Sequence, residues 1–321
     1  MQKRWPHSMH SQVEAVFHAA RSIGAKKAND PLGVRSFGTW KVYRSEAHGF
    51  VRFIAGRGIT SILDTTTMRD AMTAYLAAKL GEYAARRRSR QTFETVLAAM
   101  SKFEYAINRY ITRHSLDLHP LATEDIRGRF GREAGKILPK SSRQFDQRAY
   151  PDPLQLIAAI ADPTYQLQAS LQYEGGLRAE GVGAPSHRRL KNPLTAQALL
   201  GVVSDPVTGS STGVVAAREK GGKVTAHYVS VETYRRLERY LQRYGALASD
   251  YRGYVEAINA AARATGQYAA GRGSHGLKHN FAQERYLECV SRGLSHEEAL
   301  QQTSLETSHF RLRETLTYTR G

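Results

Sequence analysis

Four widely separated stretches of the sequence carry side chains whose chemistry suits a reaction with a charged substrate. They are GGLRAEG with Arg178, REKGGK with Lys220 and Lys223, SHGLKHNFA with His275 and Lys278, and SHFRLRETLTY with His309 and Tyr318. An activated tyrosine hydroxyl is a nucleophile, and fixed cations stabilise negative charge that develops during group transfer. Each stretch alone is weak evidence, because an arginine after a Gly-Gly turn or a lysine in a hairpin is usually a solvated surface residue. Tyr318 is therefore either a reagent or an incidental residue of a frayed tail.

The charge balance of the chain favours a polyanionic partner. The 321 residues include 46 Lys and Arg against 29 Asp and Glu, which gives a net charge of +17. An excess of this size indicates nucleic acid first and an anionic membrane second, with a merely soluble basic surface as the alternative. The membrane is disfavoured because the longest apolar runs, such as LQLIAAIA and AQALLGVV, are too short to span a bilayer.

The remaining composition bears on compartment and cofactors. The N-terminus has no uninterrupted apolar segment of the kind found in secretion signals. The single cysteine, Cys289, excludes an internal disulfide and a cysteine-based zinc site, and it agrees with a reducing cytosol. The sequence therefore predicts a cytoplasmic protein, which the nucleic-acid partner expected from its charge would make nucleoid-associated, and no metal and no cofactor are predicted.

The order and spacing of the four stretches resemble those of the tyrosine recombinase (phage integrase) family, most closely the prophage integrases of Proteobacteria. The shared series is an arginine in GLR, a lysine in a β-hairpin, H-x-x-[R/K]-H, and H-x8-Y near the C-terminus. The late H-x8-Y is the most specific single piece. The resemblance covers residues 150–321 and extends more loosely to 38–115.

This resemblance implies an enzyme that cuts and rejoins DNA through a 3′-phosphotyrosine intermediate, without a metal. Tyr318 would attack the phosphorus, and the 5′-hydroxyl of a second strand would reverse the reaction. Arg178 and Lys278 would bind the non-bridging oxygens, where the transition state gathers negative charge. His309 would donate a hydrogen bond to the same phosphate.

Proton transfers in this scheme fall to a histidine and a lysine. By the resemblance, His275 would assist proton transfer at the nucleophile. Lys220 matches the lysine of the family's Lys-Gly-x-Lys hairpin and would protonate the leaving 5′-oxygen. Lys223 is the substitute, because the register of a glycine-rich hairpin is uncertain from sequence. Glu180, two residues after Arg178, is predicted to orient that arginine.

Three features depart from the family pattern. Lys278 stands where arginine is usual, and a lysine cannot make the planar two-point contact of a guanidinium with phosphate. We expect a loss of about 1–3 kcal/mol of transition-state binding, unless Arg272 or Arg311 compensates. Ser308 stands where a glycine is common. The chain ends three residues after Tyr318, so the C-terminal docking segment of many relatives is not expected here.

The elements that position these residues are predicted to be mainly α-helical, with one small antiparallel β-sheet in the C-terminal domain. Apolar residues recur at helical spacing in two long segments, from Met68 to Leu76 and from Phe93 to Ile111. Short β-branched runs separated by glycine-rich turns indicate strands between residues 197 and 231. The predicted divisions are an N-terminal helix and basic linker (1–37), a helical, SAM-like core-binding domain (38–120), a basic interdomain linker (121–150) and a catalytic domain (151–321).

Basic residues outside the four stretches suggest where DNA would be held. ARRRSR places Arg86, Arg87, Arg88 and Arg90 just before a predicted helix, where backbone N–H groups would add to their charge. A solvated turn is the alternative interpretation of this run. With Lys223 and the basic linker, these arginines are the predicted phosphate contacts of two domains that clamp duplex DNA.

Other functions share parts of this pattern. A non-catalytic DNA-binding protein derived from an integrase would explain Lys278 and the short tail. A type IB topoisomerase or a hairpin telomere resolvase would share the same site chemistry. The resemblance alone implies a homotetramer on two attachment sites, with a host DNA-bending or directionality factor as a further partner. Residues 1–37 are either an accessory-site arm or an oligomerisation segment.

Overall fold

The computed structural model of the chain describes residues 8–23, 30, 32–139, 148–186, 192–219, 222–308 and 315–316. It contains two compact units, residues 1–142 and 143–321. Each unit has an apolar core of its own. The predicted fold class, mainly helical with a small antiparallel sheet in the C-terminal part, is confirmed.

The N-terminal unit consists of helices in the part of it that is described. Their bounds are α1 Met9–Ala19, α2 Phe37–Ala55, α3 Thr65–Ala85, α4 Arg90–Arg113 and α5 Glu124–Ile137. The first four begin where a serine or aspartate side chain accepts a backbone N–H, at Ser8, Ser36, Asp64 and Ser89. The stripe predicted from Phe93 to Ile111 supplies the buried face of α4.

Two helices differ from the predicted divisions. Helix α1 was assigned to a separate N-terminal segment, but it packs on α2 and α4 within the N-terminal unit. Helix α5 lies inside the segment predicted as a basic linker. Its residues Ile126, Phe130 and Ala134 are buried against α3 and α4. These three apolar positions at i, i+4 and i+8 are enough to bury one face, although glycine and arginine dominate the composition. Residues 140–147 of the predicted linker lie outside the described residues.

The C-terminal unit surrounds a three-stranded sheet with helices. The helices are α6 Pro153–Ala158, α7 Pro163–Gly175, α8 Val231–Tyr244, α9 Tyr251–Ala264, α10 His275–Ser291 and α11 His296–Glu306. The strands are β1 Leu194–Thr195, β2 Leu199–Ser204, β3 Ser211–Arg218, β4 Val224–Val229 and β5 Ala246–Leu247. Strands β2, β3 and β4 pair in that order and are antiparallel, while β1 pairs with β5. Strands β3 and β4 pair on either side of the predicted KGGK hairpin, of which Lys220 and Gly221 lie outside the described residues.

A glycine turn and a buried arginine fix the surroundings of α10. Helix α7 ends at Gly176, whose φ of 65° is left-handed and where a Cβ would collide with the Phe281 ring of α10. This close approach sets the start of the segment that carries Arg178.

One turn further along α10 from Phe281, Arg285 is 6% exposed and bonds three carboxylates. The distances are 2.9 Å to Asp205, 2.7 Å to Glu306 and 2.6 Å to Glu288. Cys289 is buried in the same helix, and burial raises the pKa of its thiol to about 11. Because Asp205 follows β2 and Glu306 ends α11, Arg285 ties the sheet to both helices.

Candidate active site

Arg178 lies after the glycine turn and is paired with a carboxylate from the sheet. Its Nη1 donates to Glu219 Oε2 at 2.6 Å, and its backbone N–H donates to Glu219 Oε1 at 3.1 Å. The guanidinium side chain is 21% exposed, whereas the Glu219 side chain is 1% exposed. A Cβ at Gly181 would lie 2.5 Å from Glu219 Oε1, so this glycine leaves room for the carboxylate. The orienting partner is thus Glu219, at the end of β3, rather than the predicted Glu180.

Lys278 lies inside the protein. Its side chain has no exposed surface, and its Nζ donates to the carbonyl oxygens of Gly176 at 2.5 Å and Thr307 at 2.7 Å. Burial and the positive charge of Arg178 together lower the pKa of Lys278 to about 7, against the opposing effect of Glu219. The ammonium predicted to bind phosphate oxygens is therefore held on backbone carbonyls.

His275 opens helix α10 beside this cluster. Its ring lies 4.8 Å from the ring of buried His279, in an edge-to-face arrangement. Burial lowers the pKa of His275 to about 4, and the positive charges of Lys278 and Arg148 act in the same direction. At neutral pH the imidazole is uncharged and can accept a proton, as its predicted role requires. His279 is fully buried in the same helix.

A second buried histidine was not predicted from the sequence. His227 lies on β4 and is fully buried, with Nδ1 2.8 Å from the Gly175 carbonyl oxygen and Nε2 2.9 Å from Thr225 Oγ1. Since a carbonyl oxygen only accepts hydrogen bonds, Nδ1 carries the proton and Nε2 accepts from the Thr225 hydroxyl. Burial lowers the pKa of His227 to about 4. The available signal was the alternation of Thr225, His227 and Val229 on one face of a strand next to the lysine hairpin.

Several neighbouring groups act on the pKa of Glu219. Burial alone would raise the pKa of Glu219, but Lys278, His227 and the Arg178 backbone N–H together lower it. The carboxylate is therefore ionised, and it pairs with the guanidinium of Arg178. The part of that guanidinium that remains exposed is suited to an anionic group of a substrate.

Several predicted site residues are not placed by the structure. Lys220, His309, Arg311 and Tyr318 lie outside the described residues. Lys223 is described, and its carbonyl accepts from the Glu219 backbone N–H at 2.7 Å across the hairpin. Ser308 has a φ of 58°, and its Oγ lies 2.8 Å from Thr225 Oγ1. The residue that precedes His309 is thus in contact with the sheet.

The predicted DNA-binding arginines form the turn between α3 and α4. Arg90 was predicted to precede the helix but is the first residue of α4, after the cap residue Ser89. Arg86 pairs with Glu82 at 3.2 Å and Arg90 with Glu94 at 2.9 Å, in exposed ion pairs along their own helices. Phosphate binding by these two arginines would compete with those pairs, each of which is worth little in water.

The buried histidines predict a loss of stability in acid. The folded-state pKa is about 4 for His227 and His275 and about 3 for His279, against an ordinary value of 6.5. Since the unfolded chain binds these protons first, their stabilising contribution is complete above pH 6.5 and is lost as the pH falls towards 4. Each histidine adds at most about 1.4 kcal/mol per pH unit to the slope. Hydrogen exchange of the α10 amides between pH 7 and 5 would measure it.

A matched pair of variants separates this effect from general acid lability. His227→Gln should reduce the dependence of unfolding free energy on pH by about the share of one histidine. His296→Gln, at an exposed position of the same unit, should leave that dependence unchanged. Equal pH slopes for wild type and His227→Gln would contradict the assignment of His227 as a buried neutral group.

The chain matches no protein-family model and no curated protein. None of the helices in the described ranges combines the length and the apolar character that a bilayer crossing requires. Similarity of this chain to known proteins is therefore sought by comparing its fold with solved structures.

The fold is similar to those of site-specific recombinases and integrases of known structure. It is similar to XerH site-specific recombinase bound to a palindromic difH substrate in a post-cleavage complex, with a TM-score of 0.56 and 11% identity over 98% of this chain and 94% of that chain. It is also similar to a lambda integrase dimer bound to a COC′ core site (TM-score 0.53, 14% identity, 89% and 90% covered). A lambda integrase tetramer bound to a Holliday junction gives a TM-score of 0.51 at 14% identity, covering 94% of this chain and 77% of that one. At these identities the likeness establishes the fold, and the chemistry rests on this chain's own residues.

Proposed function

We propose that this protein is a site-specific DNA recombinase, the integrase of a mobile element, which cuts and rejoins DNA through a 3′-phosphotyrosine on Tyr318. The observation that carries the proposal is the Arg178–Glu219 pair, a half-buried guanidinium locked by a buried carboxylate in a fold shared with site-specific recombinases. Such a preorganised cation stabilises a phosphoryl transition state without having to reorganise during the reaction.

The remaining roles follow the order of the reaction. Tyr318 forms the bond to phosphorus while the bond to the 5′-oxygen breaks, so the phosphodiester energy is kept in the protein–DNA linkage. Neutral His275 takes the tyrosine proton, and Lys220 gives a proton to the departing 5′-oxygen. His309 donates to a non-bridging oxygen. Lys278 contributes its charge to the same site from inside the protein.

The substrate in this proposal is duplex DNA at two attachment sites, bound by four copies of the chain. The net charge of +17 supports binding to a polyanion, and the arginines at the start of α4 supply phosphate contacts with strong salt dependence. A lambda integrase tetramer on a Holliday junction shares the fold, which supports strand exchange in a tetramer. A host DNA-bending or directionality factor would set the direction of the reaction.

A trapping experiment tests the proposal. Wild type, Tyr318→Phe and Tyr268→Phe are incubated in EDTA with a library of nicked duplexes that carry a randomised core, and the products are separated on a denaturing gel. We expect a slowly migrating covalent band with wild type and with Tyr268→Phe, whose ring is exposed in the same unit, and none with Tyr318→Phe.

Two outcomes would contradict the proposal in different ways. A covalent band that persists in Tyr318→Phe would assign the nucleophile to another residue. No band with wild type, together with salt-sensitive binding of the same library, would indicate a non-catalytic DNA-binding protein. Relaxation of supercoiled plasmid without any site preference would instead indicate topoisomerase activity.

A further inference from the structure

Two separate chains of hydrogen bonds join the same pair of turns in the C-terminal unit. One turn is Gly175–Gly176, which comes just before Arg178. The other is Thr307–Ser308, which ends α11 and comes just before His309. We call these the glycine turn and the α11 turn. The two turns are about 130 residues apart in sequence. Hydrogen bonds between them therefore hold together two distant segments, each of which comes just before a predicted site residue.

The first connection is made by Lys278 alone. Its Nζ donates to the Gly176 carbonyl in the glycine turn at 2.5 Å and to the Thr307 carbonyl in the α11 turn at 2.7 Å. Lys278 and Thr307 are both fully buried. A compact ammonium has three donors that can point to acceptors in different directions, whereas a guanidinium is larger and planar. The lysine is therefore suited to joining two carbonyls in a closed interior.

The second connection runs through strand β4. His227 Nδ1 donates to the Gly175 carbonyl at 2.8 Å, and the Thr225 hydroxyl donates to His227 Nε2 at 2.9 Å. The Ser308 hydroxyl then donates to Thr225 Oγ1 at 2.8 Å. Each donor and acceptor in this chain has one consistent role, which requires the neutral Nδ1–H form of the histidine.

The backbone conformation of Ser308 gives its side-chain hydrogen bond a structural role. Ser308 has a φ of 58°, a conformation that glycine adopts freely and that is uncommon for other residues. Its bond to Thr225 offsets the cost of that conformation and fixes the direction in which the chain leaves α11. A glycine at this position would adopt the same conformation without that cost, but it would make no hydrogen bond to the sheet.

We infer that Lys278, His227, Thr225 and Ser308 are positioning residues, which hold the glycine turn, just before Arg178, against the α11 turn, just before His309. In this arrangement Lys278 acts without contacting the phosphate. The inference rests on the proposed function for the roles of Arg178 and His309. Its physical basis is the steep dependence of group transfer on geometry, where displacements of about 1 Å cost about 100-fold in rate.

The hydroxyl of Thr225 gives the sharpest test, since valine has the same shape without a donor or acceptor. Thr225→Val should slow the single-turnover formation of the covalent adduct about tenfold or more. The Kd for the nicked duplex that serves as substrate in this assay should be unchanged. Thr225→Ser keeps the hydroxyl and should restore the rate to within about threefold of wild type. These factors are order-of-magnitude expectations for a small misplacement. Equal rates for wild type and Thr225→Val would overturn the inference.

Lys278 is tested by the salt dependence of DNA binding. A lost phosphate contact lowers the slope of log K against log salt by about 0.9, so Arg178→Met should reduce the slope by about that amount. Lys278→Met, a change to a neutral side chain of similar length, should leave the slope unchanged while adduct formation slows. A slope reduced by about 0.9 in Lys278→Met would show that Lys278 contacts phosphate and would overturn its assignment.

A double-variant cycle tests the connection without reference to activity. The effects of Thr225→Val and Ser308→Ala on hydrogen exchange of the β4 amides should be non-additive, because either change removes the same bond. Additive effects would contradict the connection. Wild type that forms no adduct, together with non-additive exchange, would mean that the connection exists and that the proposed function has failed.

Discussion

Replacing Arg178 with lysine should slow the formation of the covalent protein–DNA adduct by about 100- to 1000-fold. The guanidinium holds Glu219 through Nη1 at 2.6 Å while the rest of its planar fork remains for a phosphate. A lysine ammonium is a compact point charge without a planar fork, so it cannot reproduce the parallel two-point contact with phosphate oxygens while it bonds the carboxylate. The measurement is the single-turnover rate of trapping on a nicked duplex, with enzyme in excess over DNA.

The control for this prediction is an arginine that forms an ion pair only at the surface. Arg252 is 85% exposed and pairs with Glu256 along α9. Arg252→Lys should trap DNA at the wild-type rate. A trapping rate for Arg178→Lys within tenfold of wild type would show that Arg178 needs only its charge, which would contradict a role for its planar geometry.

Replacing Arg285 with methionine should lower the unfolding free energy of the C-terminal unit by about 3–5 kcal/mol. The change leaves the carboxylates of Asp205 and Glu306 buried, at 8% and 5% exposure, with their shared cation removed. Uncompensated buried charge is far more costly than the loss of a surface ion pair. Hydrogen exchange in α10 and β3 under native conditions would report the stability of this unit, since Trp5 and Trp40, the two tryptophans of the chain, belong to the other unit.

Compensating changes distinguish buried charge from lost packing. Adding Asp205→Asn and Glu306→Gln to Arg285→Met removes the unpaired charges and should recover a substantial part of the stability. Arg252→Met, at the exposed pair with Glu256, should change stability by less than about 1 kcal/mol. A loss below about 1 kcal/mol in Arg285→Met alone would mean that solvent reaches the network.

Much of the fold could be predicted because its signals are local. Apolar positions at helical spacing indicated α3 and α4. Alternating β-branched residues around glycine turns indicated the antiparallel sheet. Helix α5 was missed because its three buried residues are sparse among glycines and arginines, so composition outweighed periodicity.

The site was less accessible to sequence reasoning because its contacts are long-range. Arg178 was predicted from its motif, but its partner Glu219 is 41 residues away, and proximity along the chain favoured Glu180. Lys278 was expected to contact the phosphate. Its burial was not predicted, because a motif gives the type of a residue and not the depth at which it lies. His227 carried no motif, and only the pairing of β3 with β4 places it beside Glu219.

The burial of Cys289 makes this chain suitable for experiments that label or cross-link introduced cysteines. Its thiol is buried and its pKa is raised to about 11, so almost none of it is the reactive thiolate at pH 7–8. Since it is the single cysteine of the sequence, a cysteine introduced at an exposed residue would be the main site that couples to a maleimide or to thiol-bearing DNA. Cysteines placed one at a time along the turn between α3 and α4 would then map its distance to DNA in the natural background, with Cys289 left in place.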